Sequence, residues 1–217
     1  MNATTARSYH WLFWCLALTG FCLDQASKYE VFRQLYLVAQ PDQFGWSGEA
    51  ELIPGVFRFH AGFKNERETE TGILAWLRTY SSDKLPHVNH GALWGRGRTI
   101  FGMNGNIVFA VVSLVAAMAI IYWSRRPHSR HDRILSLSLG LILAGTLGNL
   151  YDRVVFNGVR DFLDFYLINW PIFNFADCCL VCGAGLLLLQ AFISQPHPAE
   201  PTEKLELARE PEVAEVK

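Results

Sequence analysis

The sequence predicts an α-helical integral membrane protein: four transmembrane helices, a small extracytoplasmic β-sheet and a short outer helix on the membrane surface. Three observations predict it. The 217 residues are 51% hydrophobic and 18% charged with a net charge of -1, but the apolar residues fall into four separate blocks rather than an even spread. A short arginine-rich connection separates the second block from the third. Between the first and second, an apolar/polar alternation reads as strand rather than helix.

The first block, Ser8–Leu23, contains "WLFWCLALTGFCL" and carries no charge; it predicts a span over 8–28. A cleaved signal peptide is the other reading of this block. Arg7 alone makes a thin charged leader, no small-x-small site follows, and "FCLDQASK" reads as the exit of a helix that stays. Ile107–Trp123 and Ile134–Tyr151 are uncharged and predict spans over 105–124 and 134–152. Phe173–Ser194 carries one charge, Asp177, and predicts a span over 173–194. A bilayer core needs about 20 mainly apolar residues per helix, which the later blocks meet once their flanks are counted. Four buried helices of a soluble bundle would show polar stripes, which these blocks lack.

The 125–133 connection sits in "SRRPHSRHDR", with four arginines against one aspartate. Short loops of this charge stay cytoplasmic, so both termini are expected inside. The long loop 29–104 and the short loop 153–172 are then extracytoplasmic. Within the long loop, Pro54-Gly55 followed by Val56, Phe57, Phe59, Ala61 and Phe63 reads as a turn and then a strand. "KNERETETG" reads as exposed, and "ILAWLRTY" as a short helix or a strand. The Glu- and Pro-rich tail 195–217 is too polar to offset its ordering entropy and is expected to be disordered. The five cysteines lie in or beside apolar blocks, so Cys179-x-x-Cys182 is expected to pack rather than to form a redox or metal pair. No metal-site cluster is evident in the sequence.

Ionisable residues in or beside spans are costly to keep and therefore candidates for function. Asp24 closes the first block. Asn149, Asp152 and Arg153 close the third. Asp161 and Asp164 lie in the second outer loop, and Asn174 and Asp177 open the fourth block. All of them gather at one membrane face. Each has a plainer reading: Asp152–Arg153 as an interfacial ion pair, Asp24 and Lys28 as a helix-end pair at i,i+4, and Asp164 as the solvated side of an amphipathic segment. Asp177 resists such a reading, because Ala176, Cys178, Cys179 and Leu180 surround it. Two carboxyls held close can share one proton, one acting as base toward water and the other as acid. H-E-x-x-H and G-x-S-x-G are both absent, leaving hydrolysis by carboxylates. A small transporter or channel subunit using boundary carboxylates is the alternative from another class.

The ordered motifs resemble the lipoprotein signal peptidase (signal peptidase II) family. "LDQASK" is similar to its Asp-Gln-x-Ser/Thr-Lys element, "ELIPGVFRF" to the opening of its outer sheet, and "NHGALWG" to its Asn-x-Gly-Ala element. "GTLGNLYDR" resembles its third-span motif, and "GVRDFLDF" and "FNFAD" the segments bearing its aspartates. The resemblance implies an intramembrane aspartic endopeptidase of the bacterial inner membrane. It would cut prolipoproteins just before a diacylglyceryl cysteine, near the outer face, as a monomer and with no metal or cofactor. It implies Asp161 and Asp177 as the catalytic pair. Asp24, Lys28, Asn89, Asn149, Arg153 and Asn174 would bind substrate or support the pair, while Asp152 would be structural and Asp164 not catalytic. Two departures stand out: Leu93-Trp94 where the family has Phe, and an insertion at about 62–88 expected to enlarge the sheet or cover the cleft.

Overall fold

The computed structural model of the chain describes residues 8–43, 45–64, 74–91, 99–100 and 103–193. The long helix α1, His10–Leu37, comes first. It is followed by strands β1 (Gln40–Asp42), β2 (Gly45–Ile53) and β3 (Phe57–Phe63) and by the five-residue helix α2 (Ala75–Thr79). A two-stranded ribbon, β4 (Thr99–Ile100) and β5 (Met103–Asn104), leads into α3 (Gly105–Ser124). Then come α4 (Pro127–His131), α5 (Arg133–Val155), the short strand β6 (Leu163–Asp164) and α6 (Phe175–Ile193).

Among the described residues three helices, α3, α5 and α6, are long and apolar enough to cross a membrane. The outward face of α3 exposes Ile107, Val111, Val112, Leu114, Val115 and Met118, a surface suited to hydrocarbon, where every backbone group must be satisfied within the helix. Local chemistry starts each of these helices. Asn104 caps α3 by accepting from the Asn106 N–H at 2.9 Å, and Asp132 caps α5 by accepting from the Leu135 N–H at 2.9 Å.

α5 is the central helix and packs against α1, α3 and α6. One core joins Phe13 and Ala17 of α1, Ala117 of α3, and Leu135, Leu139 and Leu143 of α5. Against α6, small residues let the backbones meet. A Cβ on Gly145 would lie 2.3 Å from the Ala176 carbonyl oxygen, and one on Gly148 would lie 2.4 Å from an Asp24 carboxylate oxygen. Glycine at 145 is thus a condition of the α5–α6 approach, and glycine at 148 a condition of the approach of α5 to Asp24 of α1. α5 closes at Asn157, which takes a left-handed φ of 57°, a conformation Asn tolerates at helix ends.

α1 does not stop where its apolar block stops. It runs on past Lys28 to Leu37 because its last turns have a second surface to cover. Phe32, Leu35 and Ala39 pack with Ala61, Phe63 and Phe162 in a core beneath the sheet. That sheet is antiparallel in the order β1-β2-β3-β6. Its expected strand is present: Pro54-Gly55 lies in the turn, and β3 buries Ala61 and Phe63 on one face, as the period of two requires. The described part of the 62–88 insertion lengthens this pairing. Lys64 donates to the Leu85 carbonyl at 2.9 Å and His87 to the Gly62 carbonyl at 2.8 Å. α2 then reaches the end of α5, where Arg78 Nε donates to the Val155 carbonyl. The C-terminal tail, the greater part of "KNERETETG", and Leu93-Trp94 lie outside the described residues.

Candidate active site

The start of α6 organises the site. Asn174 precedes the helix and Asp177 is its third residue, and the two cap each other. Asn174 Oδ1 accepts from the Asp177 N–H at 3.1 Å, and Asp177 Oδ2 accepts from the Asn174 N–H at 3.1 Å. This is a capping box built from Asn and Asp. It places a carboxylate in the first turn, where the free N–H groups and the helix dipole favour negative charge. The boundary aspartate therefore has a structural reason to be there.

The same asparagine reaches the second carboxylate. Asn174 Nδ2 donates to Asp161 Oδ1 at 2.6 Å and to Asn149 Oδ1 at 3.2 Å. Asn149 Nδ2 in turn donates to Asp177 Oδ1 at 3.0 Å. Asn89 Nδ2 donates to Asp161 Oδ2 at 3.1 Å, and its backbone is locked to Val159 by a pair of 2.8 Å hydrogen bonds. Asp161 and Asp177 thus share one amide network drawn from α5, α6 and two outer segments. Asn174 itself is fully buried. Burial, and then the negative charge of Asp177, push the Asp161 carboxyl up to about 7 from its ordinary 3.8.

Asp24 and Lys28 do pair at i,i+4, at 2.9 Å. The pair is not at a helix end, because α1 continues beyond it and both side chains are completely buried. Asp24 Oδ1 accepts from the Ala176 N–H at 2.9 Å, supplying a further cap to α6 one residue before Asp177. Lys28 also approaches Asn149 Oδ1, at 3.5 Å.

Two plainer readings from the sequence are corrected. Asp152 does not pair with Arg153. It is fully buried and pairs with Arg160 at 2.8 Å and Lys28 at 3.4 Å, since adjacent helical residues point in different directions. Asp164 is not solvated either. It is 6% exposed and bound by Arg58 Nε at 2.7 Å across the β3–β6 pairing. Arg153 lies over the Phe109 ring, 5.3 Å from its centroid. Its Nε and Nη1 are buried with no hydrogen-bond partner among the described residues, a costly arrangement for a cation unless a ligand supplies acceptors.

Sequence reasoning missed Arg160 and Gln25. Arg160 Nη2 donates to Gln25 Oε1 at 2.9 Å, and its guanidinium lies 3.9 Å from the Phe156 ring centroid and 4.3 Å from that of Tyr29. The available signal was an arginine among apolar residues directly before Asp161. Among the described residues no group of three or more His, Cys, Asp or Glu side chains could hold a metal ion. Cys179 packs in the interior as expected, whereas Cys15, Cys22 and Cys182 are exposed.

Known proteins resemble the chain in sequence and in fold. The sequence model of the signal peptidase (SPase) II family matches residues 82–193. The chain is 33% identical to a lipoprotein signal peptidase of Symbiobacterium thermophilum over 80% of its own length and 90% of that protein. It is 32% identical to one of Rhodopirellula baltica over 86% of its length and 74% of that protein. A solved bacterial membrane enzyme shares the fold with a TM-score of 0.61 at 20% identity, covering 90% of this chain and 98% of the other. A second solved structure with the same description aligns with a TM-score of 0.60 at 21% identity, over 88% and 98%. With just over half of the chain matched by the family model and 80–86% of it covered by relatives of 32–33% identity, and with a membrane fold of three apolar helices and a small antiparallel sheet, the chain belongs to the signal peptidase II family.

Proposed function

We propose that the chain is an aspartic endopeptidase that removes the signal peptide from prolipoproteins, with Asp161 and Asp177 as its catalytic pair. One observation carries the reading: Asn174, fully buried, is hydrogen-bonded to both carboxylates at once. A pair held so closely shares one proton near neutral pH. The ionised member takes a proton from water as it attacks the scissile carbonyl, and the protonated member passes its proton to the leaving amine. The unpartnered Arg153 donors supply hydrogen bonds to substrate carbonyl groups, and Asn89 and Asn149 hold the carboxylates in register.

In this reading α1 is a fourth span whose outer turns carry the sheet. The arginine-rich connection around α4 is cytoplasmic, which puts both termini inside and the aspartates at the outer face of the bacterial inner membrane. The substrate reaches them from the bilayer as a helix bearing a diacylglyceryl cysteine, and the enzyme acts as a monomer among membrane lipids. Family membership leaves the transporter alternative without a supporting observation.

The test is cleavage of a diacylglyceryl-modified prolipoprotein by purified wild type, Asp161→Asn and Asp177→Asn, with folding checked for each. Loss of general acid–base catalysis costs about 10²–10⁴-fold, so each variant is expected to lose turnover by at least that order while staying folded. Asp164→Asn is the control expected to retain turnover, because Asp164 is engaged by Arg58 in the sheet. Normal cleavage by either dyad variant would remove that aspartate from the mechanism.

A further inference from the structure

Four buried charges alternate in sign across the base of the site. Arg160 meets Asp152 at 2.8 Å, Asp152 meets Lys28 at 3.4 Å, and Lys28 meets Asp24 at 2.9 Å. None of the four is more than 1% exposed. Buried charges of this kind add little net stability by themselves, and they are best justified where they specify one geometry. The two ends of this row lie at significant places. Arg160 immediately precedes Asp161, and Asp24 holds the Ala176 N–H that immediately precedes Asp177.

Arg160 is bound more completely than a structural ion pair requires. Its backbone N–H donates to Asp152 Oδ2 at 2.8 Å. Its guanidinium grips the same carboxylate in a fork, Nε to Oδ2 at 3.2 Å and Nη2 to Oδ1 at 2.8 Å. Gln25 and the rings of Phe156 and Tyr29 complete its surroundings. Both main chain and side chain of residue 160 are therefore fastened to α5, and Val159 is fastened to Asn89. The backbone leading into Asp161 has little freedom left.

We infer that Arg160 is a positioning residue for catalysis: through Asp152, Lys28 and Asp24 it ties the segment bearing Asp161 to the helix start bearing Asp177, and so sets the spacing of the two carboxyls. This rests on the dyad proposed above. Arg160 touches no reacting atom in this arrangement, so its loss acts on turnover and leaves substrate binding alone.

The test measures kcat, KM and the thermal midpoint for Arg160→Lys, Arg160→Met and Gln25→Met with the diacylglyceryl prolipoprotein. Lysine keeps the charge but cannot reproduce the planar fork, and a misplacement of about 1 Å costs about 100-fold. Arg160→Lys is expected to fold, to lose about 10–100-fold in kcat and to keep KM within about twofold, with Arg160→Met losing at least as much. Gln25→Met removes one bond from the guanidinium and the bonds of Gln25 to Asp24 Oδ2 and the Gly148 carbonyl but leaves the Asp152 fork, and is expected to show a smaller loss with the same split. It carries the test should the Arg160 variants fail to fold. A wild-type kcat per folded molecule in Arg160→Lys, or in Gln25→Met where only that variant folds, overturns the inference, and so does a loss confined to KM. Failure of the dyad itself looks different: activity would then persist in Asp161→Asn or Asp177→Asn, whatever the Arg160 variants do.

Discussion

Asp161→Asn is expected to silence the enzyme and at the same time to stabilise it increasingly as pH rises. The folded protein holds the Asp161 proton with a pKa pushed to about 7, against an ordinary 3.8 in an exposed chain. The sign follows from linkage. A group whose folded pKa is raised contributes stability that is fully present below about 3.8 and is lost as pH rises through about 7. At 1.36 kcal/mol per unit, a rise of roughly 3 units amounts to at most roughly 4 kcal/mol. Asp161 is partly exposed, so solvent screening trims that figure. Asparagine does not titrate and escapes the slope. It does place an amide NH₂ where the carboxylate accepted from Asn174 or Asn89, an unfavourable exchange of about 1–3 kcal/mol at any pH. The variant should therefore match or fall below wild type near pH 5 and rise above it by pH 8. The assay is thermal unfolding of detergent-solubilised wild type and variant at half-unit steps from pH 5 to pH 8.5. A difference between the two midpoints that stays flat across that range would refute the raised proton affinity, and with it the shared-proton account of the pair.

Asn174→Ala removes the 2.6 Å donor that favours the ionised form of Asp161, so the alkaline limb of the pH–turnover profile is expected to move to higher pH. An unmoved limb in a folded variant would mean that some other group sets it. Gly148→Ala drives a methyl group to 2.4 Å from an Asp24 carboxylate oxygen. Overpacking of this kind costs about 1–3 kcal/mol, so a lower melting midpoint and weaker turnover together are expected. A variant with wild-type stability would show that α5 and the Asp24 side chain of α1 can give way freely at this point.

Much of the site was legible before the fold was known because its main device is local. Asn174 and Asp177 are three residues apart at the start of an apolar run, the spacing of a capping box, and the run itself announces the helix. The β3 alternation and the three apolar helices were legible for the same reason, since a period of 2 and an unbroken apolar run of span length are properties of neighbouring residues. The extent of α1 was not. Asp24 and Lys28 end the apolar block and Glu30 and Arg33 follow, and only the sheet core around Phe63 and Phe162 explains why Phe32 and Leu35 continue the helix.

Sequence alone determined the apolar helices and the β3 strand, that Asp24, Asn149, Asn174 and Asp177 lie near the ends of apolar blocks, and that Asp161 lies in a loop on the same predicted face. Tertiary structure decided which charge meets which. Asp152 passes over its neighbour Arg153 for Arg160 and Lys28, and Asp164 finds Arg58, 106 positions away. Arg160 finds Gln25 across 135 positions. Periodicity governs the direction in which a side chain leaves its own element. The partner of a buried charge depends on which other element arrives there, and that is set by packing across the whole chain: the glycines that let α5 close on α6, and the sheet that draws α1 onward.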